Sequence, residues 1–112
     1  MRKLRLILGD QLNSKHSWFA ETDDNIIYCL FETRQETDYV THHIQKVVGY
    51  FAAMRNFALE LEKANHNVIY FNINDAQNTQ SLVDNLTLLI RENAIDKFEY
   101  LWLAEAFELR LP

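Results

Sequence analysis

At 112 residues the chain has room for one compact domain around one core, and too little for two. An apolar content of 48% supports a sizeable core, and two glycines with a single proline favour long regular elements over a many-turned all-β fold. The formal charge of −5, with basic residues scattered beyond Arg2, Lys3 and Arg5, argues against a stand-alone nucleic-acid binder, whose phosphate contacts need clustered Lys and Arg.

In chain order, Lys3–Leu8 (KLRLIL) predicts a short first strand stopped by the turn signal Gly9-Asp10. Its apolar stretch, Leu4 to Leu8, is too short for a signal peptide, and no run approaches the ~18 residues of a membrane helix; both fit a cytoplasmic protein. Asn13–Asp24 reads as loop with one helical turn near His16–Phe19. Asn25–Glu32 (NIIYCLFE) is apolar continuously rather than alternately, which predicts a strand buried on both faces of a parallel sheet. Cys29, the only cysteine, has no partner for an internal disulfide and reads as a buried thiol packing like a small hydrophobe.

A long helix is predicted over Tyr39–Ala64, because Val40, Ile44, Val47, Phe51, Met54, Ala58 and Leu61 recur at spacings of four and three. Thr37 or Asp38 is placed to cap its start and Asn65 to end it. At ~1.5 Å per residue it would be about 39 Å long. Asn67–Ile73 predicts a third strand. A second helix is predicted over Thr79–Asn93, with Asn78 as its N-cap and Leu82, Leu86, Leu89 and Ile90 as its stripe; Phe98–Leu103 is a fourth strand. The tail after Leu103, AEAFELRLP, ends without a stop signal and reads as a continuation cut short. Trp102, Phe107, Leu109 and Leu111 would then be exposed, predicting self-association of the fragment or local disorder of its tail. Strands alternating with helical crossovers predict an α/β fold, a Rossmann-like three-layer domain with a mostly parallel sheet spanning 1–112.

Such sheets bind ligands beyond the carboxyl ends of their strands, near the reversal of strand order. Three segments qualify: Gly9–Leu12, Phe31–Glu36 and Asn74–Asn78. Gly9 permits a sharp turn and a close approach to the backbone, with Asp10 and Gln11 as polar groups at the strand tip; the bland alternative is a turn that merely ends the strand. No G-x-G-x-x-G or G-x-x-x-x-G-K-[ST] loop is present. Glu32 and Glu36 flank Arg34, and an Arg–Glu surface pair explains that spacing better than paired-carboxylate catalysis. His42 and His43 are adjacent, so on a helix they point about 100° apart and do not chelate one ion; Asp38 and His42 supply too few ligands for zinc. His43, Val47 and Tyr50 share a helix face that suits a pocket wall or a core edge. These residues nominate no catalytic or metal-binding group, and on their own lead to a soluble Rossmann-like domain with a polar pocket.

Three ordered blocks go further. LRLILGDQLN with SWF, then ETRQETDYVTHHIQKVVGYFAAMRNFALEL, then NVIYFNINDAQNTQSLVDNL together resemble the N-terminal antenna domain of photolyase-related proteins, the iron–sulfur bacterial cryptochromes and photolyases. Agreement extends from Leu4 to about Leu86 and fades after Phe98. The resemblance implies a light-harvesting domain that holds dimethyl-ribityllumazine, with Gly9, Asp10, Gln11, Phe31, Glu36, Tyr39, His43 and Tyr50 lining its pocket. It also implies a partner, a helical domain carrying flavin adenine dinucleotide (FAD) and a four-iron cluster, whose full-length parent acts in DNA repair or blue-light sensing. One cysteine is too few for that cluster, so the resemblance places FAD and the cluster in the parent's other domain and leaves this chain alone without DNA-repair activity, direct DNA binding or membrane contact. Two alternatives stand beside it: a non-binding α/β scaffold that docks onto a partner domain, and a small nucleotide- or flavin-binding protein.

Overall fold

The computed structural model describes residues 2–9, 12–33, 44–102 and 105–110, with side chains described over 2–9, 12–33 and 51–100. The elements are β1 (Lys3–Leu6), β2 (Ile26–Phe31), α1 (Ile44–Lys63), β3 (Asn67–Phe71), α2 (Leu82–Glu92), β4 (Lys97–Trp102) and β5 (Glu105–Arg110), with a 3-10 turn over Ser17–Phe19. They form one five-stranded sheet in the order β3-β2-β1-β4-β5. β1 pairs parallel with both β2 and β4, β2 pairs parallel with β3, and β5 joins antiparallel. The mostly parallel α/β sheet is therefore as the sequence predicts.

The alternation of side chains along the strands makes the three layers. Tyr28 and Leu30 of β2 point, with Ile7, to the face covered by α1, where Phe51, Met54, Phe57, Ala58 and Leu61 complete a core. Ile27, Cys29 and Phe31 point the other way and pack with Leu4, Leu6, Phe71, Leu89 of α2 and Ile95. A strand buried on both faces has no polar side to show, and hence the unbroken run IIYCLF. Each such fully buried aliphatic or aromatic side chain contributes roughly 1.5–3 kcal/mol relative to exposure.

The helix ends have local causes. α1 stops in a Schellman arrangement: Asn65 N–H donates to the Glu62 carbonyl at 3.0 Å, and His66 N–H to that of Leu61 at 3.0 Å. Asn65 takes the left-handed backbone this requires (φ 70°), which its short polar side chain tolerates better than most. α2 starts later than expected. Ser81, not Asn78, is its N-cap, its Oγ accepting from Asp84 N–H at 3.3 Å. Asn78 is instead buried in the loop ahead of the helix.

The tail is the other departure. Glu105–Arg110 forms an edge strand whose register sets Phe107 opposite Tyr100 and Leu109 opposite Phe98. The helix start expected over residues 39–43, with its caps at Thr37 or Asp38, lies outside the described residues, as does Leu111. No helix among the described residues is long and apolar enough to cross a membrane.

Candidate functional site at the carboxyl end of the sheet

The chain runs from β1 through β2 to β3 on one side, then returns to build β4 and β5 on the other, so strand order reverses at β1. The carboxyl end of β1 leads to Gly9, which is buried. Gly9 does not adopt positive φ, so what it offers at that strand end is the lack of a side chain and not unusual backbone freedom. Phe31 ends β2 with its ring 5.2 Å from that of Phe71, buried in the core on the α2 side. Tyr50 lies in α1, its side chain outside the described residues; Asp10, Gln11, Glu36, Tyr39 and His43 lie wholly outside them.

What the structure does bring together starts from Glu32, the residue after β2. Its position continues the Tyr28–Leu30 alternation, so the carboxylate enters the α1 side of the sheet and is 0% exposed. A carboxylate there must be paired and hydrogen-bonded. Arg55 of α1 grips it in a two-point fork, Nε to Oε2 at 2.6 Å and Nη2 to Oε1 at 2.8 Å. Tyr70 of β3 donates its hydroxyl to Oε2 at 2.5 Å, and the Ile73 N–H donates to Oε1 at 3.0 Å. Burial alone would raise the Glu32 pKa, but the hydrogen bonds from Arg55, Tyr70 and Ile73 outweigh it and leave it lowered. Burial, then the bond to Glu32, pushes the Tyr70 hydroxyl up, and Arg55 is likewise raised by Glu32. Glu32 therefore stays ionised, Tyr70 neutral and Arg55 cationic. With its acceptor sites occupied, Glu32 is an anchor and not a proton acceptor. Glu32 is therefore not the surface carboxylate that an Arg–Glu surface pair would have, but a buried one held from α1; Arg34 lies outside the described residues.

The main chain of Glu32 is fixed as well. Its N–H donates to the Phe71 carbonyl at 2.9 Å, and its carbonyl accepts from Asn78 Nδ2 at 2.7 Å. Asn78 Nδ2 also donates to the Asn72 carbonyl at 2.9 Å, while Asn78 Oδ1 accepts from Asn85 Nδ2 at 3.0 Å and from Gln80 N–H at 2.9 Å. Asn85, fully buried in α2, accepts from Thr79 N–H at 2.9 Å. The buried asparagines thus tie the loop 72–81 to the end of β2. Glu32 is thus pinned two residues before 34–43, where Glu36, Tyr39 and His43 stand in the sequence.

A second polar cluster holds the β1–β2 loop. Arg5 Nε donates to Glu99 of the neighbouring strand β4 at 2.9 Å, and Arg5 Nη1 to the Tyr28 hydroxyl at 2.9 Å. Tyr28 passes its own hydrogen to the Trp18 carbonyl at 2.7 Å, and the Arg5 guanidinium lies 4.8 Å from the Trp18 ring centroid. Burial raises the Tyr28 pKa against the opposing effect of Arg5, so the hydroxyl remains a donor.

Sequence reasoning missed Arg55, Tyr70 and Asn78 as partners of Glu32. The signal was present: a carboxylate directly after a two-sided apolar strand demands a cation from the covering helix. Cys29 is fully buried and its thiol is pushed up by burial, as expected of an inert packing residue. Among the described residues, no group of three or more His, Cys, Asp or Glu side chains is placed to hold a metal ion.

Comparison with known proteins adds two findings. Residues 5–110 match the family model described as deoxyribodipyrimidine photo-lyase-related protein. A (6-4) photolyase from Agrobacterium fabrum (strain C58 / ATCC 33970) is 42% identical over 84 residues, covering 72% of this chain and 16% of that relative. The chain thus spans about a sixth of the length of that relative.

Proposed function

The chain belongs to the deoxyribodipyrimidine photo-lyase-related protein family, and from that premise we propose that it is a light-harvesting, chromophore-binding domain. The observation that carries the reading is the family match along residues 5–110, which lies on a doubly covered parallel sheet whose order reverses at β1. The ligand proposed is dimethyl-ribityllumazine. Its ring calls for apolar or aromatic walls and its ribityl hydroxyls for acceptors, roles that fall to Tyr39, His43 and Tyr50 and to Asp10 and Glu36. Gly9, lacking a side chain at a buried turn, suits a ligand lying close to the backbone. When bound, the lumazine would absorb near-ultraviolet or blue light and pass excitation to a flavin. This chain's residues would hold and orient it without transferring a proton or forming a bond.

The acceptor of that excitation would sit in a helical FAD-binding domain of a longer parent, acting in DNA repair or light sensing. An iron–sulfur cluster does not fit the residues of this chain: Cys29 is the only cysteine, and it is fully buried. The test is a fluorescence anisotropy titration of the lumazine into the wild-type chain and the Asp10→Ala and Glu36→Ala variants. Saturable binding weakened by about 1–3 kcal/mol in each variant is expected where a buried ligand donor loses its partner. Equal affinity in all three removes these residues from the site, and no binding at all favours the docking scaffold.

A further inference from the structure

Arg55 does more than neutralise Glu32. With Phe51, Ala52 and Asn56 it lines a groove of about 330 Å³ along α1, at the lower end of the usual range for ligand pockets. Its Nε and Nη2 are spent on Glu32, yet its side chain is still 52% exposed. A guanidinium is a planar fork of N–H donors; the two direct hydrogen bonds of this one leave from Nε and Nη2, the Tyr70 hydroxyl lies beside it, and Nη1 is not used in either bond to Glu32. The fork is also fixed in place, because Tyr70 and the Ile73 N–H hold the carboxylate that it grips.

Charge and lining narrow the ligand class. Glu32 already neutralises Arg55, so the open edge offers directed donors with little net charge, which suits a carbonyl oxygen better than a phosphate. Phe51 supplies an aromatic wall, and Asn56 an amide with both a donor and an acceptor. We infer that Arg55 reads the ligand: its Nη1 edge, with Phe51 as a wall and Asn56 alongside, takes the carbonyl edge of a planar heterocycle lying against α1. The inference rests on the chromophore reading and deepens it, by naming the ring edge that is recognised and the residue that recognises it.

The experiment fills the groove without touching the ion pair. Ala52 is exposed on α1, so Ala52→Trp occludes the groove while leaving Glu32 and Arg55 paired. Ala52→Gln, a good helix former, is the second variant should the bulkier one lower the melting temperature. Dimethyl-ribityllumazine and riboflavin, a bicyclic and a tricyclic heterocycle that share a cyclic imide edge, are titrated into the full chain and both variants by fluorescence anisotropy, with thermal melts run alongside. The expected result is lumazine binding to the wild type that weakens about tenfold or more in an occluded variant of unchanged melting temperature, a loss of about 1.4 kcal/mol. Equal lumazine affinity in wild type and both variants would overturn the role of Arg55 and leave the chromophore reading standing. Riboflavin binding lost on occlusion, with no lumazine binding, would support the Arg55 edge and sink the lumazine assignment. No binding of either ring to the wild type overturns both.

Discussion

Glu32 is placed where a strand otherwise made of Ile, Tyr, Cys, Leu and Phe carries a carboxylate into the core. Removing its partner should be costly, since Arg55→Ala leaves that charge buried with only Tyr70 and a backbone N–H. A loss of roughly 2–4 kcal/mol is expected, towards the low end for buried pairs because Arg55 is half-exposed. Urea unfolding at neutral pH measures it, and a loss below about 0.5 kcal/mol would mean that water serves Glu32 as well as Arg55 does. The pH dependence follows from the lowered pKa. A carboxyl that is more acidic folded than unfolded contributes stability that is complete above its unfolded value, near ~4.3, and is lost as pH falls through the folded one. Unfolding free energy measured from pH 7 downward should therefore decline on the acid side, less steeply in Glu32→Gln; parallel profiles for the two proteins would assign the decline to other carboxylates.

At the scale of elements, hydrophobic period made most of the sheet legible. The unbroken run in β2 and the four-and-three spacing in α1 each have one burial solution, and the crossover helix α1 between β2 and β3 goes with their parallel pairing. Boundaries were less legible because they depend on side chains meeting from distant segments. Asn78 looks like an N-cap by residue type, but Glu32, Asn72 and Asn85 claim its amide, and the cap passes to Ser81. β5 has no Gly, Asn or Pro turn signal before it, and only pairing with β4 makes it a strand. Of the residues nominated for the site, Asp10, Gln11, Glu36, Tyr39 and His43 lie outside the described residues, and the pairing of Glu32 with Arg55, 23 residues apart, is a tertiary fact. Two helix-end substitutions on α2 should act with opposite signs. Ala94 sits at φ 51° just past the helix, so Ala94→Gly should stabilise by about 0.5–1 kcal/mol through relief of that left-handed strain. Ser81→Ala should cost about 1 kcal/mol by unmaking the cap. Thermal melts of the two variants check both, and a destabilising Ala94→Gly would show that unfolded-state entropy outweighs the strain.

For the molecule as a whole, among the described residues β5 is an edge strand of the sheet, with Phe107 and Leu109 in register with Tyr100 and Phe98. Self-association of the isolated chain is the proposal that follows. Sedimentation velocity should show a concentration-dependent rise in mass that Leu109→Lys suppresses; a single monomeric species at all concentrations would remove it. The chain covers 16% of its photolyase relative, and the role of this domain turns on whether it holds a chromophore. Incubation of the purified chain with excess dimethyl-ribityllumazine, followed by gel filtration and an absorption spectrum of the protein peak, tests that most directly. The account predicts a near-ultraviolet to blue band co-eluting with the protein at close to one ligand per chain, whereas a protein peak showing only aromatic side-chain absorption would contradict it.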